Sequence, residues 1–291
     1  MTPPRASQSA YSPEPMTSQN TSRPSPYSVV PQVVRQDGQN DQAVSTTHKE
    51  SAVEMPGVFD PRNLFLAALS PTDQALLAGM MTLQRLPQGL VLQEPEQSIE
   101  HVYFVESGMI SLVAAMQDGA AIETATLGRE AILGALAAFG SHRATARAIV
   151  HIEATAWRLP VADFRNAIKQ SAGLRRMALL GSELLLAHMQ QTAACNALHT
   201  AERRLCRWIV QVQDRVGSDV IGLTHDFLAQ MLSVRRPTVS LIAYELQQAG
   251  LIRYQRGRIA ILDRAGLERS ACECAGVLRE KTRRIIDDVG F

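Results

Sequence analysis

Apolar positions recur most regularly in residues 222–254. Thr224 is placed to cap a short helix whose apolar side consists of Leu223, Phe227, Leu228, Met231 and Leu232. A connection through Ser233, Val234 and Arg235 leads to Pro237, which suits the first turn of a second helix because that turn needs no N–H donor there. The second helix buries Val239, Ile242, Ala243 and Leu246, and Gly250 ends it.

The residues that follow predict a basic hairpin. Residues 251–254 and 259–262 have the composition of short strands, and Gly257 lies in the tight turn between them. Two short helices followed by such a hairpin are typical of a winged helix-turn-helix. From Arg235 to Arg258 the chain has five arginines and one acid, Glu245, a balance that favours a DNA surface. The alternative interpretation is a structural helix pair with a solvated, charged face.

The N-terminal half shows a different pattern of short apolar runs separated by glycine-containing turns. Predicted strands cover residues 83–86, 90–92, 102–105, 109–113, 122–127, 146–152 and 154–159. A turn is expected at 106–108 and a hairpin turn at Asp118–Gly119, and a short helical region covers 63–81. Many short strands of this kind indicate a β-barrel or jelly roll.

A long helix is predicted over 174–195, with an apolar stripe of Leu174, Met177, Leu180, Leu184 and Ala187. This stripe could pack on its own domain, but we interpret it as the seam of a coiled-coil dimer. The predicted fold class is α+β: an N-terminal β jelly-roll sensor barrel, a long dimerisation helix and a C-terminal winged helix-turn-helix. The predicted boundaries are 1–58 for a disordered tail rich in Pro, Ser, Thr and Gln, 59–165 for the barrel, 166–198 for the dimerisation helix and 199–291 for the DNA-binding domain.

Composition adds limits on location. The chain has 291 residues and a net charge of +1, so its basic character is local. It lacks both an apolar run of membrane-spanning length and the apolar core of a signal peptide, and its four cysteines are not spaced as a disulfide framework. We therefore expect a cytoplasmic protein without a membrane partner.

The sequences L-T-H-D-F-L-A-Q-M-L-S-V-R-R-P-T-V-S and G-L-I-R-Y-Q-R-G-R-I resemble the Crp–Fnr family of bacterial transcription regulators. F-V-E-S-G at 104–108 and L-G-R-E at 127–130 are similar to barrel turns of that family, and the resemblance covers about residues 65–267. It implies a homodimer that binds a two-fold site on double-stranded DNA. RNA polymerase is a further candidate partner, although spacing does not locate a surface for it.

The resemblance also implies roles for individual residues. The candidates for base reading are Arg236, Pro237, Ser240 and Leu241, and those for phosphate contacts are Arg235, Thr238, Arg256 and Arg258. The fork of Arg236 suits guanine N7 and O6. The cyclic-nucleotide branch has a Glu and a second Arg where this chain has Pro237 and Leu241, so we expect a different operator.

For an effector, the cyclic-nucleotide branch uses a Gly–Glu pair and an Arg–Ser pair. The candidate pocket residues here are Gly128, Glu130, Arg143 and Thr145, but Arg129 is inserted after the glycine and Ala144 replaces the serine. We predict no cofactor and keep a cyclic nucleotide as the alternative. Glu130 and Arg143 are interpreted as a structural ion pair or as surface residues.

The cysteines also exclude a function class. The iron–sulfur branch needs a cysteine cluster ahead of the barrel, and no cysteine precedes Cys195. Cys272 and Cys274 form a C-x-C that would need two more ligands, such as His199 or His225, for zinc. We interpret them as ordinary cysteines and predict no metal, while Cys195 or Cys206 stays open as a redox group.

An enzyme is not expected, because His101, His142 and His151 are scattered and no nucleophile motif is present. Haem ligation by His142, His151 or His188 is a further alternative to the structural interpretation of lone histidines. The predicted function is thus a dimeric DNA-binding transcription regulator controlled by an unknown signal or by its abundance. Two alternatives remain: a cyclic-nucleotide-responsive regulator, or a signalling module without DNA binding.

Overall fold

The computed structural model describes residues 51–52 (backbone only), 59–116, 121–140 and 142–290. The predicted N-terminal tail lies almost wholly outside these ranges, as does the hairpin turn at Asp118–Gly119. Within them, an antiparallel sheet is followed by helices and a small three-stranded sheet, which confirms the predicted α+β fold class.

The first half of the described chain is the barrel-like sheet. Two short helices precede most of it, α1 (Leu64–Ala67) and α2 (Pro71–Ala78), capped by the side chains of Asn63 and Ser70. The strands are β1 (Ser51–Ala52), β2 (Thr82–Leu86), β3 (Val91–Gln93), β4 (His101–Ala115), β5 (Ala121–Leu127), β6 (Ile132–Leu133) and β7 (Arg147–Pro160). Their order is β1-β2-β7-β4-β5, with β3 also pairing with β7 and β6 with β4.

Strand β4 runs straight through the turn predicted at 106–108. The pairing of β4 with β7 shifts register around Ser107, and Gly108 has a φ of +78°. A Cβ at Gly108 would lie 2.2 Å from the carbonyl oxygen of Glu153 on β7. The glycine therefore permits a β-bulge and a close strand approach, and the prediction of a turn there is wrong. The strands predicted at 146–152 and 154–159 are likewise one strand, β7.

Two helices close one side of the sheet. They are α3 (Val161–Gln170) and α4 (Ala172–Leu198), and Ser171 separates them and caps α4 through the N–H of Leu174. Phe104 and Trp157 of the sheet share a core with Phe164 of α3 and with Leu174 and Met177 of α4.

The apolar stripe of α4 packs inside its own chain. Leu174 and Met177 are fully buried and Leu184 is 2% exposed. At Gly181 the helix approaches the sheet so closely that a Cβ would lie 2.8 Å from Cδ1 of Ile132. The interpretation of this stripe as the seam between two chains is therefore wrong: the period identified an apolar face, but the barrel covers it. A different face of α4 carries the exposed side chains of Leu179 and Leu186.

The second half is built around a helix-turn-helix. Its elements are α5 (Ala201–Val216), β8 (Val220–Gly222), α6 (His225–Leu232), α7 (Arg236–Gln248), β9 (Ile252–Gln255), β10 (Arg258–Ile261), α8 (Arg264–Ser270) and α9 (Cys274–Asp287). Thr200 and Thr224 cap α5 and α6 as expected, each accepting a hydrogen bond from the backbone N–H three residues ahead. The small sheet has the order β8-β10-β9. Strand β8 was not predicted, because three residues are too few to show a strand pattern.

The two halves meet at an aromatic contact. The imidazole of His151 on β7 lies edge-on to the ring of Phe227 on α6, with ring centroids 4.4 Å apart, and Phe227 also contacts Trp208 of α5. His151 Nδ1 is buried without a hydrogen-bond partner, and burial lowers the pKa of His151 to about 4. None of the described helices combines the length and apolarity that a membrane crossing requires.

This contact predicts a loss of stability in acid. Between pH 6.5 and 4 the unfolded chain binds a proton at His151 that the folded chain does not, so the free energy of unfolding decreases as the pH falls. His188, whose pKa burial also lowers to about 4, acts in the same direction. Glu123, whose pKa burial raises to about 6, opposes both between pH 6 and 4.5.

We expect His151→Phe to reduce this acid sensitivity. From pH 7.5 to pH 5, the variant should lose about 2 kcal/mol less unfolding free energy than the wild type, which corresponds to one histidine with these two pKa values. Urea denaturation at the two pH values measures the difference. An identical loss in both proteins would show that His151 can be protonated in the folded state.

Candidate nucleic-acid interface

The interface starts at the N-terminus of α7. Val239, Ile242, Ala243 and Leu246 are buried, and they hold the inner side of α7 against a core shared with α6. Arg235 is the N-cap residue, Arg236 begins the helix and Pro237 follows in its first turn. The first turn thus presents two guanidinium groups at the positive end of the helix dipole, an arrangement that favours anions.

The outer side of α7 is exposed over three turns. Arg235, Arg236, Pro237, Thr238 and Leu241 are all exposed, as predicted for surface contacts. Tyr244, one turn beyond Leu241, is 58% exposed, and the sequence analysis did not select it. Its position seven residues after Pro237 was the available signal, because residues at that spacing share a helix face.

Ser240 differs from the expectation of an outward-facing group. Its hydroxyl lies 2.9 Å from Nδ1 of His225 and 3.2 Å from the carbonyl oxygen of Arg236. The ring of His225 stacks on Tyr254 of β9 at 4.2 Å, and Tyr254 donates its phenol to the carbonyl of Leu223. Burial first, and then the charge of Arg236, lower the pKa of His225. Through these contacts with Ser240 and Tyr254, the imidazole of His225 connects α7 to the hairpin.

The hairpin of β9 and β10 carries the remaining arginines. Arg253, Arg256 and Arg258 are exposed, and Arg256 and Gly257 form the turn with φ values of +48° and +73°. Arg236 lies 3.4 Å from Asp226, but both side chains are well exposed, so this ion pair is weak. We call Arg235, Arg236, Arg253, Arg256 and Arg258 the basic face.

The four candidate effector residues do not form one site. A cavity of about 510 Å³ in the barrel is lined by Arg143 and Thr145, and neither Gly128 nor Glu130 belongs to its lining. Two glycines line it, Gly134 and Gly140. Ala135, which follows Gly134, has no carboxylate, and the acidic residue in the lining is Glu96. Arg143 donates to the carbonyl oxygen of Glu96. The assignment of Gly128 and Glu130 to this pocket is therefore wrong.

Glu130 instead joins the barrel to α5. Its carboxylate lies 2.5 Å from Nη2 of Arg215, and both side chains are largely buried. Burial is the largest single influence and acts to raise the pKa of Glu130, but the charge and hydrogen bond of Arg215, together with smaller contributions, lower that pKa overall. A Cβ at Gly128 would lie 2.7 Å from the Arg215 side chain, so the glycine admits this arginine. The interpretation of Glu130 and Arg143 as partners of each other is wrong.

A second group of side chains converges away from the basic face. Cys195 and His199 at the end of α4 meet Cys272 and Cys274 at the start of α9, and their donor atoms all lie within 4.8 Å of one another. His199 is one of the two histidines named above as possible further ligands of the C-x-C, whereas Cys195 is a candidate ligand that the sequence pattern did not indicate. The spacing of Cys195 and His199, one helical turn apart, was the available signal.

Comparison with known proteins defines the class. Residues 83–171 match the family model described as a cyclic nucleotide-binding domain, and residues 203–270 match that of the Crp-like helix-turn-helix domain. No curated protein matches this sequence. The chain belongs to the Crp–Fnr family, and it is a DNA-binding transcription regulator.

Solved structures of the family share this fold. A regulator of the crp/fnr family from Eubacterium rectale is 17% identical with a TM-score of 0.57, covering 69% of this chain and 94% of its own. FixK2 from Bradyrhizobium japonicum is 15% identical with a TM-score of 0.57, covering 66% and 98%. CLP from Xanthomonas campestris, described as c-di-GMP responsive, is 14% identical with a TM-score of 0.56, covering 67% and 100%.

The buried pair predicts a large effect of removing one partner. Arg215→Ala should lower the free energy of unfolding by about 3–5 kcal/mol, because it leaves the Glu130 carboxylate buried without its counter-charge. Arg85 and Glu153 form a matched, exposed ion pair at 2.8 Å, so Arg85→Ala should cost less than about 1 kcal/mol. Urea denaturation of both variants measures the difference. Equal losses would contradict a structural role for the buried pair.

Proposed function

We propose that this regulator acts as a dimer and reads a two-fold operator with one α7 helix in each of two major grooves. The observation that supports this is the exposed first turn of α7, with Arg235 and Arg236 beside the arginines of the hairpin and a buried apolar side behind them. A helix held this way can enter a groove while the hairpin contacts the neighbouring backbone.

Arg236 is the proposed base reader. It lies at the start of α7, and its exposed ion pair with Asp226 contributes at most about 1 kcal/mol, so a guanine can replace Asp226 as its partner. Pro237 and Leu241 are proposed to contact thymine methyl groups, and Tyr244 joins them on the same exposed face. Ser240 is proposed to position His225 rather than to read a base, because its hydroxyl is already engaged.

The other residues are proposed to contact phosphates. Arg235, Thr238, Arg256 and Arg258 are exposed around α7 and the hairpin turn. Contacts of this kind fix the register of the protein on the duplex without specifying sequence, and they make binding depend strongly on salt.

The proposed dimer contact lies on the free face of α4. Leu179 and Leu186 are 52% and 55% exposed and lie seven residues apart, the spacing of equivalent positions in a coiled coil. Large exposed apolar side chains in such a row favour burial against a second copy of the chain. The extent 166–198 of the dimerisation segment remains a prediction.

The cavity supports a signal other than a cyclic nucleotide. Its walls are mostly apolar, and Ala135 follows Gly134 where a carboxylate would be needed to bind a ribose hydroxyl. Ala144, also in the lining, offers no hydroxyl to a phosphate. Regulators of this family are typically not enzymes, and we propose no catalytic activity and a cytoplasmic location for this one.

Binding-site selection from random duplex DNA tests the proposal. The wild type should select a two-fold sequence with half-sites one helical turn apart. Arg236→Ala should lose about 1–3 kcal/mol of preference at one guanine in each half-site, because the bidentate contact is gone. A uniform loss over all sequences would instead show that Arg236 contacts phosphate.

Arg256→Ala is the matched control, because it removes the same exposed charge from the hairpin turn. It should weaken binding equally for all sequences and reduce the salt-dependence slope by about 1. Addition of cyclic AMP or cyclic GMP should leave the wild-type affinity unchanged. A selected site without two-fold symmetry would contradict the proposed dimeric reading.

A further inference from the structure

Four side chains with metal-binding atoms meet where α4 ends. Cys195 lies in the last turn of α4, and His199 is the C-cap residue of that helix, where its backbone N–H donates to the carbonyl oxygen of Cys195. Cys272 and Cys274 flank Glu273 at the junction of α8 and α9. The three cysteines are at most 3% exposed and form an apolar cluster of their own. We call these four residues the Cys–His cluster.

The distances fit one metal ion. The sulfurs of Cys195 and Cys272 are 3.5 Å apart, and the sulfur of Cys274 is 3.5 Å from Nδ1 of His199. A tetrahedral zinc ion with its usual bond lengths separates two sulfur ligands by about 3.8 Å and a sulfur from a nitrogen by about 3.6 Å. An iron–sulfur cluster places several ions between its cysteines, which the 4.8 Å span of the four donor atoms does not admit.

Neighbouring groups orient the donors. Nε2 of His199 lies 3.1 Å from the carboxylate of Glu273, which leaves Nδ1 pointing toward the cysteines. Gln191 donates to the sulfur of Cys274 at 3.2 Å. A carboxylate on the outer nitrogen of a histidine is the usual support of a metal-bound imidazole, because it fixes the tautomer and the ring orientation.

The surrounding charges favour an anionic centre. Three thiolates and a divalent cation carry a net charge of −1. Arg204 and Arg207 of α5 are 7% and 8% exposed, and Nε of each is buried without a hydrogen-bond partner. Two buried cations need nearby negative charge. Glu123 interacts with Arg207, and the thiolates of a metal centre supply further negative charge.

We propose that Cys195, His199, Cys272 and Cys274 form a mononuclear, tetrahedral site for zinc or a cation of the same class. Three sulfurs and an imidazole are the ligands that such cations prefer, and four protein ligands leave no open position for catalysis. The ion links the junction of α8 and α9 to the end of α4, and two of its ligands, Cys195 and Cys272, are 77 residues apart in the sequence. This proposal replaces the sequence-based prediction that the chain holds no metal.

The test uses the full chain, purified under reducing conditions. Elemental analysis should find one zinc ion per chain. After zinc is removed with a chelator, titration with Co²⁺ should produce thiolate-to-cobalt charge-transfer absorption and strong visible bands of tetrahedral cobalt, saturating at one equivalent. Chelation should also lower the melting temperature, because binding stabilises the folded state.

Variants assign the ligands. Cys274→Ser and His199→Ala should each reduce the bound metal at least tenfold, with circular dichroism reporting whether the chain remains folded. Cys206→Ala is the matched control: Cys206 is also fully buried but lies outside the Cys–His cluster, so this variant should keep one ion per chain.

Several results would overturn the proposal. One is reduced wild-type protein that binds neither zinc nor cobalt at stoichiometric concentration. Another is full metal content in folded Cys274→Ser and His199→Ala proteins. A third is a Cys195–Cys272 disulfide in the chain as isolated, because it would leave two of the four ligands without thiolates. The cobalt titration of the wild type decides the question even if the variants fail to fold.

Discussion

Helix α4 has two faces with different partners, and the rest of the structure depends on this division. One face is fixed to the barrel by Leu174, Met177 and Leu184, and Gly181 lets it approach Ile132 closely. The other face exposes Leu179 and Leu186. The first face is buried within one chain, and α9 packs beside it, where Arg176 donates to the carbonyl oxygen of Asp288. We propose that the exposed face of α4 forms the dimer contact.

Several contacts connect α4 and the barrel to the DNA-binding half. Glu130 and Arg215 form an ion pair that links the barrel to α5, and His151 packs on Phe227 of α6. The Cys–His cluster joins the end of α4 to α9. Ser182 and Leu185 of α4 line the barrel cavity, next in the chain to the face proposed for dimerisation. A ligand in that cavity would thus contact the helix that carries the proposed dimer face.

The sequence predicted the helix-turn-helix well because its signals are local. Thr224, Pro237 and Gly250 each act on the backbone within a few residues, whatever the rest of the chain does. The long-range features were not accessible in this way. The apolar period of α4 revealed an apolar face but not what covers it. Gly108 indicated a positive φ, which belongs to a bulge rather than a turn. Cys195 meets Cys272 only through the tertiary fold. Nothing in the sequence around Glu130 indicated that its partner is Arg215, which lies 85 residues away.

The mass of the protein–DNA complex tests the central claim most directly. Light scattering of the chain bound to its selected duplex should give two chains per duplex, and Leu179→Asp with Leu186→Asp should reduce this to one chain at much lower affinity. The same doubly substituted chain should remain folded, because both side chains are already exposed in the single chain. A complex that still contains two chains after these substitutions, or a wild-type complex with one chain, would contradict the account.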